Sequence, residues 1–479
     1  MIDRQEILEL SREMGLEANV IEKDYALGWL LAGIHADDQL RSRWIFKGGT
    51  CLKKCYFETY RFSEDLDFTV TEPAHFNEAF LRERFTTIAE WMRGQSGLDM
   101  IPGDIRFEIL RNPCGGLSAE GRVPYRGPLG RMGDAPRIKL DLTTDEVVVR
   151  NPEERTVFHP YTDKPTGGIK AICYPFDEVF AEKIRALQQR LRPRDLYDVI
   201  YIYRNRRATA AAIDVLQVLG RKCEFKQIPV PTAVIILNHE AKPDLEASWD
   251  RMLGHQLPAL PSLQDFLAEI PAMFEWLSAA VPAVQMAQPA ATPINIVGGE
   301  AIDTSWVMPE RPQVWGFTTS IEEIRFAASN LLCIELGYQG SRRLIEPYAI
   351  RRSLTGNFLL YAVKSLTGES RSYRLDRIQS VKATSQSFKP RYPVEIATNT
   401  SLETAPPVVT GGGPRRASFG ARRRSGVYRA GEMRYVFRCP MCHKLFRRSE
   451  YDGTLNSHKN KQGWPCYGTQ GVFVKQEYN

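Results

Sequence analysis

The chain has 479 residues, of which 43% are apolar and 25% charged, with 63 Lys/Arg against 57 Asp/Glu for a net charge of +6. This is the composition of an ordinary globular protein, long enough for roughly two to four domains. It holds no uninterrupted apolar run of about 18 residues, and its acidic, helix-patterned N-terminus (MIDRQEILELSREMG) has no signal-peptide core. A cytoplasmic protein with no membrane partner is therefore expected.

In chain order, residues 4–34 read as two helices, the second through NVIEKDYALGWLLAGI. Trp44–Phe46 reads as a short strand, KGGT opens the next element, 51–58 as a helix and Leu66–Val70 as a strand ended by Glu72-Pro73. Residues 76–95 are helical by pattern, and the Gly/Pro-rich 112–134 is expected as a loop. RIKLDLT (137–143) alternates, with Ile138, Leu140 and Leu142 on one face and Lys139, Asp141 and Thr143 on the other. Helices at 176–192 and 194–206 are separated by Pro193, and helical patterns continue past 220 to about 280. The expected domains are 1–280, an Ala/Pro-rich linker at 281–319, a strand-rich domain at 320–394, a disordered basic linker at 395–433, and a Cys/His module at 434–479.

Charge and cysteines both single out the C-terminal end. After residue 410 there are 14 Lys/Arg against 4 Asp/Glu, so the basic excess is confined to the tail. Such an excess suits a polyanion such as nucleic acid. Six of the nine cysteines are scattered and read as free core thiols of a reducing compartment.

Asp65 and Asp67 lie two apart in a strand-like segment, so both carboxylates share a face. Asp141 adds a third from another predicted strand. Such a set can hold one or two Mg²⁺ ions that also bind substrate phosphates. Gly48-Gly49-Thr50 precedes a helix, where backbone N–H groups can meet a triphosphate.

KGGT followed by RFSEDLDF resembles the polymerase-β-type nucleotidyltransferases, and more narrowly the AbiEii/AbiGii toxins. VIEKDYALGWLL (20–31), FAEKIRAL (180–187) and RPRDLYDV (192–199) are similar to further motifs of that family, so the resemblance spans roughly 5–280. It implies that Lys47, Gly48, Gly49 and Thr50 handle the phosphates of an NTP, assisted by Ser63. It implies that Asp65 and Asp67 bind Mg²⁺ with Asp141 as third acid, and that Lys183 and Asp195 or Asp198 complete the site. Fifteen residues separate Gly49 from Asp65, slightly more than is usual in the superfamily. Glu22, Lys23 and Asp24 read equally well as a salt-bridged helix surface.

Residues 324–381 read as short strands with Gly-containing turns and recurrent arginines, a small barrel or curled sheet. The stretch resembles a WYL domain, an SH3-like fold that implies ligand contacts at Tyr338, Arg351, Arg371 and Arg374. The naming tripeptide is replaced by Phe358-Leu359-Leu360. Near the end, Cys439, Cys442, His458 and Cys466 have the spacing of a closed, structural Zn²⁺ site, in a module too small to build a core without metal. Lys444, Arg447, Arg448, Lys459 and Lys461 with Phe446, Tyr451 and Trp464 suit RNA or a single strand.

The expected fold is multidomain α+β: a mixed-sheet nucleotidyltransferase core with a helical C-terminal part, a small SH3-like β domain and a zinc module. The expected function is Mg²⁺-dependent transfer of NMP from an NTP to an RNA 3′ end, tRNA first, or to a protein. By the family resemblance it is a toxin of a toxin–antitoxin or phage-defence system, restrained by an antitoxin protein. The alternative is a nucleic-acid-binding regulator with an idle nucleotidyltransferase fold.

Overall fold

The computed structural model describes residues 1–14, 16–57, 60–111, 115–131, 133–205, 211–278, 294–296, 299–306 and 321–396; near the end it describes 433–439, 444–448, 454–455, 458–459, 465–466 and 472–478. The chain divides into two compact units, Met1–Ala405 and Pro406–Asn479. No helix among the described residues is long and apolar enough to cross a membrane.

The first unit opens with α1 (Arg4–Met14) and α2 (Ala18–Ala36). From Tyr25 to Ile34 every residue of α2 is buried, as expected for a helix that is apolar all round. Then come β1 (Trp44–Lys47), α3 (Gly48–Cys51) and a π-helical turn, Leu52–Tyr56. Next are β2 (Asp65–Val70) and α4 (Glu78–Ser96). The Asn77 side chain caps α4 by accepting from the Phe80 N–H, and left-handed Gly97 ends it.

Strands β3 (Asp99–Met100), β4 (Arg106–Arg111), β5 (Leu117–Arg126), β6 (Arg137–Thr143), β7 (Glu153–Val157) and β8 (Ile169–Cys173) follow. They join β1 and β2 in one eight-stranded sheet, in the order β3-β5-β6-β2-β1-β8-β7 with β4 also paired to β5. The β2–β6 and β1–β8 pairs are parallel and the rest antiparallel. The sheet is therefore mixed.

The expected loop at 112–134 is corrected by β5. Its Gly121 lies under the Phe107 ring, where a Cβ would come within 2.6 Å of Cε1. Its Pro124 sits where the β5–β6 pairing ends, opposite Arg137. A glycine selected by packing and a proline at a strand's end hide a strand from a reading by composition. The helix expected at 51–58 starts earlier, at Gly48, and closes as the π-helical turn at Tyr56.

The helical part comprises α5 (Phe176–Arg190), α6 (Pro193–Asn205), α7 (Ala212–Phe225), α8 (Ala233–Leu237), α9 (Lys242–Leu253) and α10 (Leu263–Ser278). Left-handed Leu191 (φ 38°) breaks the path between α5 and α6, and Pro193 opens α6. Helix α11 (Ile321–Ser329), which the strand-rich pattern did not announce, leads into β9 (Leu332–Tyr338), β10 (Ser341–Arg352), β11 (Phe358–Lys364), β12 (Ser370–Arg374) and β13 (Ile378–Ser387). These five form an antiparallel sheet in the order β12-β11-β10-β9-β13.

One apolar cluster holds residues of α5–α10 together with Ile324, Leu336, Leu360 and Tyr373, so the helical part and this sheet share a core. The Tyr197 hydroxyl donates to Asn330 Oδ1 (2.9 Å), and Arg204 donates to the Asn330 carbonyl (3.1 Å). Past the sheet, Ile396 is buried and its N–H donates to the Tyr348 carbonyl. Residues 397–432, most of the expected basic linker, lie outside the described residues.

In the second unit, β14 (Met433–Arg438), β15 (Leu445–Arg448) and β18 (Val472–Tyr478) form a three-stranded sheet, and β16 (His458–Lys459) pairs with β17 (Pro465–Cys466).

Candidate active site

The site is laid out by register. Lys47 on β1 pairs with Asp67 on β2, and Asp67 pairs in parallel with Asp141 on β6. Adjacent strands run about 4.8 Å apart, so the three side chains form a lateral row, with Asp65 two residues along the same face. Leu66 and Phe68 point the other way into the core. The alternation that buries the apolar side of β2 and β6 is thus what gathers Asp65, Asp67 and Asp141.

Burial, with crowding added, raises the proton affinity of Asp65 and Asp67. Loss of solvent pushes Asp67 up from 3.8 to about 6; Lys47 and Lys183 oppose this, while Asp141 and Asp65 add to it. Asp65 is raised too, first by burial, with Asp141 adding to it. Lys139 is bound to Asp141 (3.1 Å) and leaves it 40% exposed. Carboxylates gathered on one face, of which Asp141 is paired with Lys139, are hard oxygen donors of the type a divalent cation takes.

Gly48 is required twice. Its φ is +79°, and a Cβ there would stand 2.0 Å from Asp67 Oδ2. At Gly49 a Cβ would meet Arg61 Nη2 at 2.7 Å and Ser63 Oγ at 3.0 Å, so Ser63 lies against the glycine pair. Thr50 is buried, and its hydroxyl donates to the Asp65 carbonyl (2.5 Å). That bond fixes α3 to the start of β2.

Helices α5 and α6 supply the opposite charges. Lys47 pairs with Glu182 (3.0 Å), Glu182 with Lys222 (3.1 Å), and Lys222 with Glu178 (3.1 Å). Burial works against the charge of Lys47, but Glu182, Glu146 and Asp67 outweigh it and raise its pKa. Lys183 pairs with Asp198 (2.8 Å). Asp198 also takes both ends of the Arg61 fork, at 2.7 and 2.8 Å. Burial opposes its charge, yet Arg61 and Lys183 hold it well below the usual carboxylate range. Asp195 is 1% exposed and accepts two bonds from Arg190, at 2.7 and 2.8 Å.

Asp195 and Asp198 thus anchor basic side chains and do not themselves join the carboxylate row. The residues the motifs did not single out are Glu182, Arg61, Arg190 and Arg194. Arg190 interacts electrostatically with Asp67, and Arg194 with Asp65 and Glu64. Arg194 Nε is buried with no hydrogen-bond partner among the described residues. All but Arg190 stand within or beside the quoted motifs, Glu182 directly before Lys183 and Arg61 at the head of RFSEDLDF.

The surface reading of Glu22, Lys23 and Asp24 is corrected for two of them. Glu22 and Asp24 are buried. Glu22 accepts from the Leu129 N–H (2.7 Å) and Asp24 pairs with Lys54 (2.6 Å). Lys23 pairs with Glu64 (2.9 Å), beside Asp65.

The four residues singled out in the second sheet do not converge. Arg351 and Arg374 flank Leu359 across β11, whereas Arg371, three residues from Arg374, falls on the other face with Tyr373. Tyr338 packs edge-on against Tyr373 (5.2 Å), and its hydroxyl accepts from the Arg374 N–H (3.3 Å). Arg351 pairs with Glu395, Arg371 with Glu369, and Arg374 with Asp376. In the terminal unit Cys439 is buried and its N–H donates to the Lys444 carbonyl (2.9 Å). Register places His458 opposite Cys466, and Cys442 lies outside the described residues.

Residues 29–278 match a family model described as nucleotidyl transferase AbiEii toxin, type IV toxin–antitoxin system. Among solved structures, the chain is similar to MenT4, a nucleotidyltransferase toxin from Mycobacterium tuberculosis H37Rv, at 18% identity and a TM-score of 0.42, over 58% of this chain and 90% of that one. No curated protein matches.

Proposed function

The chain belongs to the AbiEii family of nucleotidyltransferase toxins of type IV toxin–antitoxin systems, and from that premise we propose that it transfers NMP from an NTP to an RNA 3′ end, with tRNA the favoured acceptor. The observation that carries this reading is the row of Asp67, Asp141 and Lys47 in register, with Asp65 on the same face and Asp67 raised to about 6. Nucleotidyl transfer needs positioning and charge neutralisation more than covalent help from the protein.

Asp65 and Asp67 would hold Mg²⁺, with Asp141 beside them; the ion, when bound, neutralises phosphate charge. Gly48 and Gly49 let the backbone approach the triphosphate. Lys47 and Lys183, each steadied by a carboxylate, add positive charge near the phosphates, and Arg194 is a further donor toward them. Asp141, 40% exposed, accepts the proton of the attacking hydroxyl. That oxygen bonds to the α-phosphorus as the bond to pyrophosphate breaks.

The five-stranded sheet would be a WYL-like sensor and the terminal unit a zinc-bound RNA-recognition module. An antitoxin protein would restrain the enzyme. The test is incubation of the purified protein with Mg²⁺, each labelled NTP in turn and total bacterial RNA. Label in an RNA band with wild type and none with Asp65→Ala/Asp67→Ala supports the reading. Label on protein alone moves the acceptor, and RNA retention without any label favours a regulator.

A further inference from the structure

Three sulfurs meet directly behind the glycine turn. Cys51 ends α3, Cys55 lies one turn on in the π-helical Leu52–Tyr56, and Cys173 ends β8. Their Sγ atoms lie within 4.8 Å of one another. Cys51 and Cys173 are fully buried and Cys55 is half-buried. The register that pairs Phe46 with Cys173 brings the end of β8 beneath this turn.

We infer that Cys51, Cys55 and Cys173 form a thiolate site for a thiophilic divalent d¹⁰ ion of the Zn²⁺ class. The geometry suits one: zinc–sulfur bonds of about 2.3 Å in a tetrahedral set hold their sulfurs about 3.8 Å apart. Closing from within 4.8 Å to that spacing takes movements of about an ångström or less, easily made at the π-helical turn, a wide helical form frequent at functional positions. Binding releases three thiol protons to solvent and leaves one negative charge on a Zn²⁺ tris-thiolate. The Arg155 guanidinium offsets it: Nε donates to the Cys55 carbonyl (3.3 Å), and the group stacks on the Tyr56 ring at 4.3 Å.

The Tyr56 hydroxyl stands 3.9 Å from Cys173 Sγ and donates to the Tyr174 carbonyl.

The consequence is mechanical. The site ties the segment after Gly48-Gly49-Thr50 to the end of β8, immediately ahead of α5 with its Glu182 and Lys183. An ion there clamps the nucleotide turn to the helix that supplies the lysines and takes no part in the reaction itself. The inference does not depend on the proposed acceptor.

The test is titration of the reduced full-length protein with Cd²⁺, an ultraviolet-visible stand-in for Zn²⁺, against Cys55→Ser and Cys173→Ser. Ligands in the terminal unit are common to all three proteins and cancel in the difference. Wild type is expected to bind one equivalent more than either variant, to show the corresponding excess of thiolate charge-transfer absorption, and to gain melting temperature that the variants do not. Should Cys173→Ser fail to fold, Cys55→Ser, at the half-buried position, carries the comparison. Equal stoichiometry and absorption in wild type and a folded variant would overturn the site. So would a disulfide within the cluster that persists under thiol reductant.

Discussion

Replacing Asp67 with Asn is expected to make the protein more stable and inactive. In the ion-free protein Asp67 is raised from 3.8 to about 6 by loss of solvent and by its two acidic neighbours, so at neutral pH its charge is a strain on the native state. The sign follows from linkage. A carboxyl raised on folding favours the native state below its unfolded value, and that contribution is lost as pH rises through about 6. At about 1.4 kcal/mol per tenfold, the rise corresponds to about 3 kcal/mol, or about 2 kcal/mol once the side chain's remaining exposure is allowed for. Asn keeps the shape and removes the charge. Thermal melting at about pH 7.5 in chelator should therefore place Asp67→Asn above wild type, by roughly 2–4 °C for a unit this size. Mg²⁺ should raise wild type and leave the variant nearly unmoved, while nucleotide incorporation is lost in the variant. A variant no more stable than wild type in chelator would refute the claim that the acids are held together against their repulsion.

Other outcomes follow from the same geometry. At limiting Mg²⁺, incorporation should fall as pH drops below about 6, where Asp67 takes up its proton, and saturating Mg²⁺ should move that inflection to lower pH; a profile indifferent to Mg²⁺ would contradict the assignment. Arg61→Ala strips the fork from Asp198, which is fully buried, and should cost about 3–5 kcal/mol in a denaturant melt. Gly48→Ala drives a Cβ into Asp67 and strains a positive φ, so activity and Mg²⁺ binding should vanish while circular dichroism stays close to wild type. Cys439→Ala should lower zinc content by one equivalent and weaken RNA retention, leaving the melting of the first unit unchanged.

What could be read in advance divides along physical lines. Periodicity two was enough to put Asp65 and Asp67 on one face and Asp141 on the polar side of its strand, because the apolar residues between them are core residues in their own right. The parallel β2–β6 pairing that sets Asp141 beside Asp67 is a long-range choice with no local signature. Strand β5 was hidden because Gly121 answers to an aromatic ring from another strand. The lysines were legible as charges but not as pairs: only the fold shows that Lys47 is held by Glu182 and Lys183 by Asp198. The meeting of Cys51, Cys55 and Cys173 was likewise invisible, since it joins residues more than a hundred positions apart through one strand pairing.

The most direct test of nucleotidyl transfer at the Asp65–Asp67 face uses one NTP labelled in turn at the α- and the γ-phosphate. Wild type with Mg²⁺ is predicted to move the α-label onto RNA and release the γ-label as pyrophosphate, with neither event in Asp65→Ala/Asp67→Ala. Transfer of the γ-label to the acceptor, or α-label incorporation that survives loss of both aspartates, would contradict the account.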